Sequence, residues 1–198
     1  MIRNLHGSHL LRGFRKKLLI FCVLTGLWAV WIAGGSGFVF ADSNEKPQEY
    51  QVKAAFLFNF AKFVEWPNGS FPDGNSPFLL AVIGKDPFGE SLDSLKGKTV
   101  GNREIVIKRI ADIDRLEKCH ILFICDSEKD RLKPILRKAE SARMLTVSDL
   151  KGFCEAGGHI GFYLEENKLR FEINNEDAQR NGLKISSQLL KLAKIFKK

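Results

Sequence analysis

The residue types that carry catalytic chemistry are sparse in this chain, and none stands at the spacing of a known catalytic motif. The glycine-rich segment at residues 157–161, Gly-Gly-His-Ile-Gly, is not Gly-x-Gly-x-x-Gly. A strand pattern follows it where a phosphate site needs a helix N-terminus. No Gly-x-Ser-x-Gly nucleophile elbow occurs. We therefore predict no nucleotide cofactor and no serine nucleophile.

Metal-binding and phospho-accepting side chains are equally scarce. After residue 41 the histidines are His120 and His159, with no His-x-x-x-His or Cys-x-x-Cys pair, so no metal site is predicted. Asp126 ends an apolar strand, where a phospho-accepting aspartate would lie, but the acidic pair expected after the first strand is missing. With Ser127 it is interpreted as turn chemistry. The sequence predicts a protein that is not an enzyme. A hydrolase built from scattered carboxylates stays open as an alternative, because such pairs have no fixed spacing.

Three cysteines follow residue 41, which allows one disulfide in an oxidising compartment. Cys119 and Cys125 bracket a predicted strand that separates them by about 20 Å, which is beyond disulfide reach. Cys125 lies at the carboxyl edge of its strand, and Cys154 follows the neighbouring strand. We therefore predict a Cys125–Cys154 disulfide, while Cys119–Cys154 and no disulfide at all stay open.

Alternating residues near the C-terminus provide the polar surface of most interest. Period two places Arg170, Glu172 and Asn174 on one face of a strand and apolar residues on the other. This column is predicted to bind a partner, together with Lys62 and Trp66 near the end of the first helix. The alternative is an ordinary antiparallel strand with one wet face.

The first 41 residues have the features of a secretory signal peptide. They contain five basic residues, no acidic residue and an apolar run at 18–33, and they end in Val-Phe-Ala. We predict cleavage after Ala41, a flexible new N-terminus at 42–47 and a periplasmic location. An uncleaved inner-membrane anchor facing the periplasm is the alternative, since residues 18–41 are nearly long enough to span a bilayer. Of the 31 Lys and Arg, 26 remain against 23 acidic residues, a net charge of +3. That charge is too small to predict nucleic-acid binding.

Hydrophobic patterning over residues 48–198 predicts one α/β domain, because strands alternate with helices. A mostly parallel central sheet with helices on both faces and a C-terminal β-hairpin is expected. The carboxyl edge of such a sheet is the usual place for a ligand. A periplasmic small-molecule binding protein is therefore an alternative function. The predicted helices are 48–65, 87–95, 134–142 and 188–197, and the strands are 78–83, 104–110, 121–125, 145–147, 158–165 and 168–174.

Two segments resemble the signatures of the YfiR family of periplasmic proteins. The opening signature is KAAFLFNFAKFVEWP at residues 53–67. The closing signature comprises GGHIGF at 157–162, RFEIN at 170–174 and GLKISSQLL at 182–190. Together with the predicted leader, the resemblance extends over essentially residues 48–193.

The resemblance implies a compact α/β domain in the periplasm. Better-known members repress a membrane diguanylate cyclase by binding its periplasmic sensor domain, which lowers cyclic-di-GMP and restrains biofilm formation. Some members are released by an outer-membrane lipoprotein and respond to redox conditions through two disulfides. Two disulfides need four cysteines, and this mature chain has three, so it departs from that redox design.

Overall fold

The computed structural model describes residues 45–197, and side chains from residue 48 onward. The predicted leader and its cleavage site lie outside the described residues. The helices are α1 (Glu45–Phe63), α2 (Glu90–Asp93), α3 (Leu132–Ser141), α4 (Asn175–Arg180) and α5 (Ser187–Leu192). The strands are β1 (Val64–Glu65), β2 (Phe78–Ile83), β3 (Thr99–Val100), β4 (Arg103–Ile110), β5 (Ile121–Ile124), β6 (Leu145–Ser148), β7 (Ile160–Glu165), β8 (Lys168–Ile173), β9 (Lys184–Ile185) and β10 (Lys194–Ile195). Two 3-10 helices occupy Ile113–Arg115 and Asp126–Arg131.

The central sheet has eight strands in the order β10-β8-β7-β6-β5-β2-β4-β3. The five strands β7, β6, β5, β2 and β4 run parallel. The chain starts in the middle, at β2, moves to β4 on one side and then to β5, β6 and β7 on the other. This doubly wound order confirms the predicted α/β domain with a mostly parallel sheet. It also places a topological switch point between the carboxyl ends of β2 and β5.

Both faces of the central strands are covered, which explains their continuous apolar sequences. All four residues of β5, Ile-Leu-Phe-Ile, are buried, as are those of β6. On one face Phe56 and Phe60 of α1 pack against Phe162 and Phe171 of the hairpin strands, with ring centroids 5.3–5.9 Å apart. On the other face, α3 buries its apolar side against the same sheet. The helices therefore lie on both faces, as predicted.

Strands β7 and β8 form the predicted C-terminal hairpin. Glu165 pairs with Lys168, so Glu166 and Asn167 alone form the turn. Both have positive φ, 50° and 58°, as a type I′ turn requires, and Asn tolerates this conformation well. The turn matches the twist of the strands, so the sequence signal and the structure agree.

The C-terminus differs from the sequence prediction. The last helix ends at Leu192 instead of Lys197, and residues 194–195 add a strand parallel to β8. The amide of Phe196 donates to the carbonyl oxygen of Ile173 at 2.9 Å. The open edge of β8 provides backbone hydrogen-bond partners for residues 194–196, and a final helical turn in solvent would lack them. The strand therefore replaces the predicted end of the helix. The first helix also begins at Glu45, three residues before Gln48.

The opening and closing signature segments contact each other, although more than a hundred residues separate them. Strand β1 pairs antiparallel with β9, and the amide of Ser186 donates to the carbonyl oxygen of Phe63 at 2.9 Å. Gly182 has φ of 80°, and a Cβ there would lie 3.3 Å from Pro67. The turn after α4 therefore suits glycine for both its backbone conformation and the closeness of the Pro67 ring.

Candidate functional site

A buried charge network fixes the amino end of α1 at the carboxyl edge of the sheet. The Nζ of Lys53, a residue only 2% exposed, lies 2.5 Å from a carboxylate oxygen of Asp149 and 2.5 Å from one of Glu49. Asp149 directly follows β6, so the ion pair joins α1 to the sheet. Tyr50 donates its hydroxyl to Asp149 at 2.8 Å. Burial, and then the charge of Asp149, raises the pKa of Tyr50 well above its ordinary value, which keeps this donor protonated.

A groove of about 1090 Å³ lies beside this network, near the switch point. Its lining comes from the first turns of α1, from the segment between β2 and α2, and from α2 with Ser94 after it. Its acidic members are Glu49, Asp86 and Glu90. Glu49 pairs with Lys53, while Asp86 pairs with Arg109 at 2.6 Å. Two of the three carboxylates are thus held by cations of the same chain. Such ion pairs are typical of carboxylates that stabilise the edge of a sheet and not of a pair of catalytic carboxylates.

The other end of α1 is fixed at the amino edge of the sheet by aromatic residues. Trp66 donates its indole N–H to the carbonyl oxygen of His120 at 3.1 Å, and Phe71 stacks on the His120 ring at 4.1 Å. Nδ1 of His120 accepts the backbone N–H of Leu79 at 2.9 Å. Burial lowers the pKa of His120 to about 4, so the ring is neutral at pH 7. The half-buried side chain of Trp66 thus stabilises the fold through these contacts.

The predicted partner-binding residues fall on two opposite sides of the molecule. Lys62 is exposed on α1, near the Phe58 ring, on the face of the sheet that α1 covers. Arg170 and Glu172 alternate along β8 with residues that pack under α1, so they point to the opposite face. The sequence-based set is therefore not one continuous surface.

Asn174 lies in the interior instead of on the polar column. It is 1% exposed, and its side-chain oxygen accepts the backbone N–H of Asp177 at 3.1 Å. Its amide nitrogen donates to the carbonyl oxygen of Cys154 at 3.0 Å. Asn174 therefore caps α4 and holds the segment before β7, and this burial leaves no surface for a partner. The extended pattern ends at Ile173, one residue earlier than predicted.

The prediction of a Cys125–Cys154 disulfide is wrong for this structure. In the described part of the chain Cys119, Cys125 and Cys154 are all buried free thiols. Cys154 lies against β7 and β8, 3.7 Å from the carbonyl oxygen of Glu172, while Cys125 ends β5. Strand β6 lies between β5 and β7, which separates the two positions by about 10 Å. Sharing an edge of the sheet did not make the two cysteines neighbours.

Sequence reasoning misses two features at the amino end of α1. One is Lys53, whose signal is a lysine four and seven residues before the buried Leu57 and Phe60, which places it on their helical face. The other is an apolar groove of about 420 Å³ between α1 and the hairpin. Val52 is 44% exposed there and Leu164 60% exposed, which is unusual for adjacent large apolar residues.

Two kinds of site are absent from the described residues. No cluster of three or more His, Cys, Asp or Glu side chains within residues 48–197 is arranged to hold a metal ion. Among the helices of the described part of the chain, none combines the length and apolar character that crossing a membrane requires.

Comparison with known proteins decides the family. The profile of the YfiR/HmsC-like family matches residues 50–194, which is most of the chain. The chain belongs to the YfiR/HmsC-like family. This is a regulatory, non-catalytic family whose members act on a membrane signalling partner. The resemblance of the two signature segments is thus confirmed for this YfiR/HmsC-like domain.

A solved structure supports the fold of this YfiR/HmsC-like domain. A conserved domain protein from Vibrio cholerae O1 biovar El Tor superposes with a TM-score of 0.50 at 11% sequence identity. The match covers 75% of this chain and 60% of that chain, so this chain spans less than two thirds of its structural relative. At this identity the likeness concerns the fold alone.

Proposed function

We propose that this YfiR/HmsC-like protein is an exported regulator that works in the periplasm. Its target is a membrane diguanylate cyclase, which it represses by binding the cyclase's periplasmic sensor domain. Repression lowers cyclic-di-GMP and restrains biofilm formation. An outer-membrane lipoprotein is the candidate that releases the repressor. The leader at residues 1–41, which is typical of a secretory signal, supports export.

The observation that carries this proposal is the family match over residues 50–194. The chemistry of the described residues agrees with a binding role. The ring Nδ1 atoms of His120 and His159 are occupied by backbone amides, and the thiols are buried. The charged groups at the carboxyl edge pair mainly with one another. These groups are engaged in holding the fold together, which leaves recognition to the surface.

The column on β8 supplies the part of that surface that we test first. Arg170 is 51% exposed, and its ion pair with Glu165 is long, at 3.6 Å. Such an exposed pair contributes at most about 1 kcal/mol to stability. Arg170→Glu should therefore weaken binding to the sensor domain by reversing a surface charge, while the melting temperature changes little.

The experiment is an affinity capture with residues 42–198 from detergent-solubilised membranes of the native host. Wild type is expected to recover a protein with a periplasmic sensor domain and a cytoplasmic cyclase domain. Arg170→Glu should recover less of it, and the exposed Arg115→Glu variant provides the charge-matched control. If wild type recovers no cyclase, the proposed target is wrong. If both variants bind like wild type, the cyclase contacts another surface.

The small-molecule alternative has the groove beside Glu49 and Tyr50 in its favour. Glu90, the lining carboxylate that pairs with no described cation, favours a cationic ligand. A rise in melting temperature with an organic diamine such as putrescine, abolished in Glu90→Gln, would support this second function. No rise with the diamine would count against it.

A further inference from the structure

A cleft on the other edge of the sheet has a different chemical character. It has a volume of about 440 Å³ and lies between α3, the segment before β7 and α4. His159 directly precedes β7 and Thr146 lies near the start of β6, so the cleft opens at the amino edge. This volume is in the range of small-molecule sites. It is separate from the groove at the carboxyl edge, which shares no lining residue with it.

The imidazole of His159 supplies a hydrogen-bond donor to this cleft. His159 is 5% exposed, and its Nδ1 accepts the backbone N–H of Thr146 at 3.0 Å. A backbone amide can only donate, so Nδ1 carries no proton. Burial lowers the pKa of His159 to about 4, which makes the ring neutral and places its one proton on Nε2. His159 lines the cleft, and its Nε2 atom has no hydrogen-bond partner within the described residues.

The wall that α3 contributes is cationic. Four residues of α3 at positions i, i+3, i+4 and i+7 form one helical face toward the cleft: Lys133, Leu136, Arg137 and Glu140. Neither Lys133 nor Arg137 forms an ion pair with another described residue. Across the cleft Arg180 pairs with Asp177, so those two charges largely cancel. The N–H donor of His159 and two unpaired cations therefore line a small cleft that contains one further carboxylate, Glu140.

We propose that this cleft binds a small organic carboxylate, held by Nε2–H of His159 and by Lys133 and Arg137. A carboxylate can accept the Nε2–H of His159, and the guanidinium of Arg137 can bind it with two parallel N–H groups. The Glu140 carboxylate argues for a ligand with a single negative charge. A phosphate monoester carries nearly twice that charge, which exceeds the net charge of +1 that Lys133, Arg137 and Glu140 contribute together. The site makes the protein a candidate sensor of an anionic metabolite, independent of which partner it represses.

The test uses residues 42–198 and three probes, lactate, phenylacetate and inorganic phosphate, with sodium chloride at matched ionic strength. We expect a carboxylate to raise the melting temperature and to shift the ¹⁵N resonance of Nε2 in His159. The double variant Lys133→Gln/Arg137→Gln should weaken carboxylate affinity by at least about tenfold, because charge-assisted hydrogen bonds are lost. Both residues are exposed, so the unliganded variant should melt near the wild-type temperature.

The control is Lys129→Gln/Lys151→Gln, which removes two exposed lysines outside the cleft and should bind as wild type does. A response to chloride as large as that to carboxylate would show a non-specific salt effect and overturn the proposal. A stronger response to phosphate would overturn the assignment of a carboxylate. The same holds if the His159 resonance stays unchanged at saturating carboxylate.

Discussion

Gly158→Ala tests whether the glycine pair before His159 is a packing device. A Cβ at Gly158 would lie 2.2–2.5 Å from three ring atoms of Phe153, closer than real Cβ contacts approach. Phe153 is 1% exposed and cannot turn into solvent without leaving the core. The amide of Gly158 also donates to the carbonyl oxygen of Phe153 at 2.9 Å, which resists a backbone shift.

The cost follows from the two ways in which the structure can respond. If the ring stays and the neighbours move, overpacking costs about 1–3 kcal/mol. If the ring leaves its site, most of the penalty of a buried Phe→Ala change applies, about 3–5 kcal/mol. We therefore expect Gly158→Ala to lower the free energy of unfolding by about 3 kcal/mol. For a domain of this size, that lowers the melting temperature by about 6–12 °C.

The assay is urea unfolding of residues 42–198, followed by the fluorescence of Trp66, the one tryptophan after residue 41. Gly74→Ala is the matched control, because Gly74 has no atom within 4 Å of a built Cβ. It should change stability by less than about 0.5 kcal/mol. Shortening the ring with Phe153→Leu should cost less in the Gly158→Ala background than in wild type, with a coupling of about 1 kcal/mol or more.

Wild-type stability for Gly158→Ala would refute this reasoning. Strict additivity of Gly158→Ala and Phe153→Leu would refute it as well, because the two residues would then not compete for one space.

Three further predictions concern charge, pH and thiols. Lys53→Met should lower the free energy of unfolding by about 2 kcal/mol, because it leaves Asp149 and Glu49 without their cationic partner. Lys62→Met, on the exposed side of the helix, should leave the free energy of unfolding unchanged. Equal urea midpoints for both variants would contradict the stabilising role of the network. Burial lowers the pKa of His120 and His159 to about 4 from 6.5, so the unfolded chain binds more protons between these values. The contribution of each histidine to the free energy of unfolding should be fully present above pH 6.5. It should fall toward pH 4 by up to about 1.4 kcal/mol per pH unit. Urea midpoints that do not change between pH 7 and 5 would exclude this. Burial raises the pKa of Cys119, Cys125 and Cys154 to about 12, so a thiol reagent should modify them only as fast as the domain unfolds; rapid labelling in native buffer would place a thiol at the surface.

Features governed by neighbours in sequence were predicted well. The strand at 78–83 matches β2, because a short apolar run between turn residues has few other outcomes. Asp112 accepts the amide of Asp114 and Ser186 accepts that of Leu189, so Asp and Ser directly before these helices cap them. The hairpin turn at Glu166 and Asn167 was located for the same reason. Caps and turns depend on side chains within three residues of the backbone they bind.

Features governed by the order of strands were not predicted. The Lys53–Asp149 ion pair joins residues 96 positions apart, and no local pattern relates them. The disulfide prediction placed both cysteines at one edge of the sheet, but the sequence does not show that β6 lies between them. The strand at residues 194–195 was taken for helix, because the free edge of β8 that recruits it exists only in the folded chain.

The sequence by itself determined the class of fold, the family and the scarcity of catalytic motifs. Apolar periodicity, turn residues and the two long signature segments are all visible in the sequence without the folded structure. The tertiary structure alone decided which polar groups are free to act. It placed Asn174 in the interior, separated Lys62 from Arg170 by the thickness of the sheet, and brought His159 to the same cleft as Arg137. The physical reason is that burial and charge pairing depend on which strands and helices become neighbours, and long-range packing sets that order.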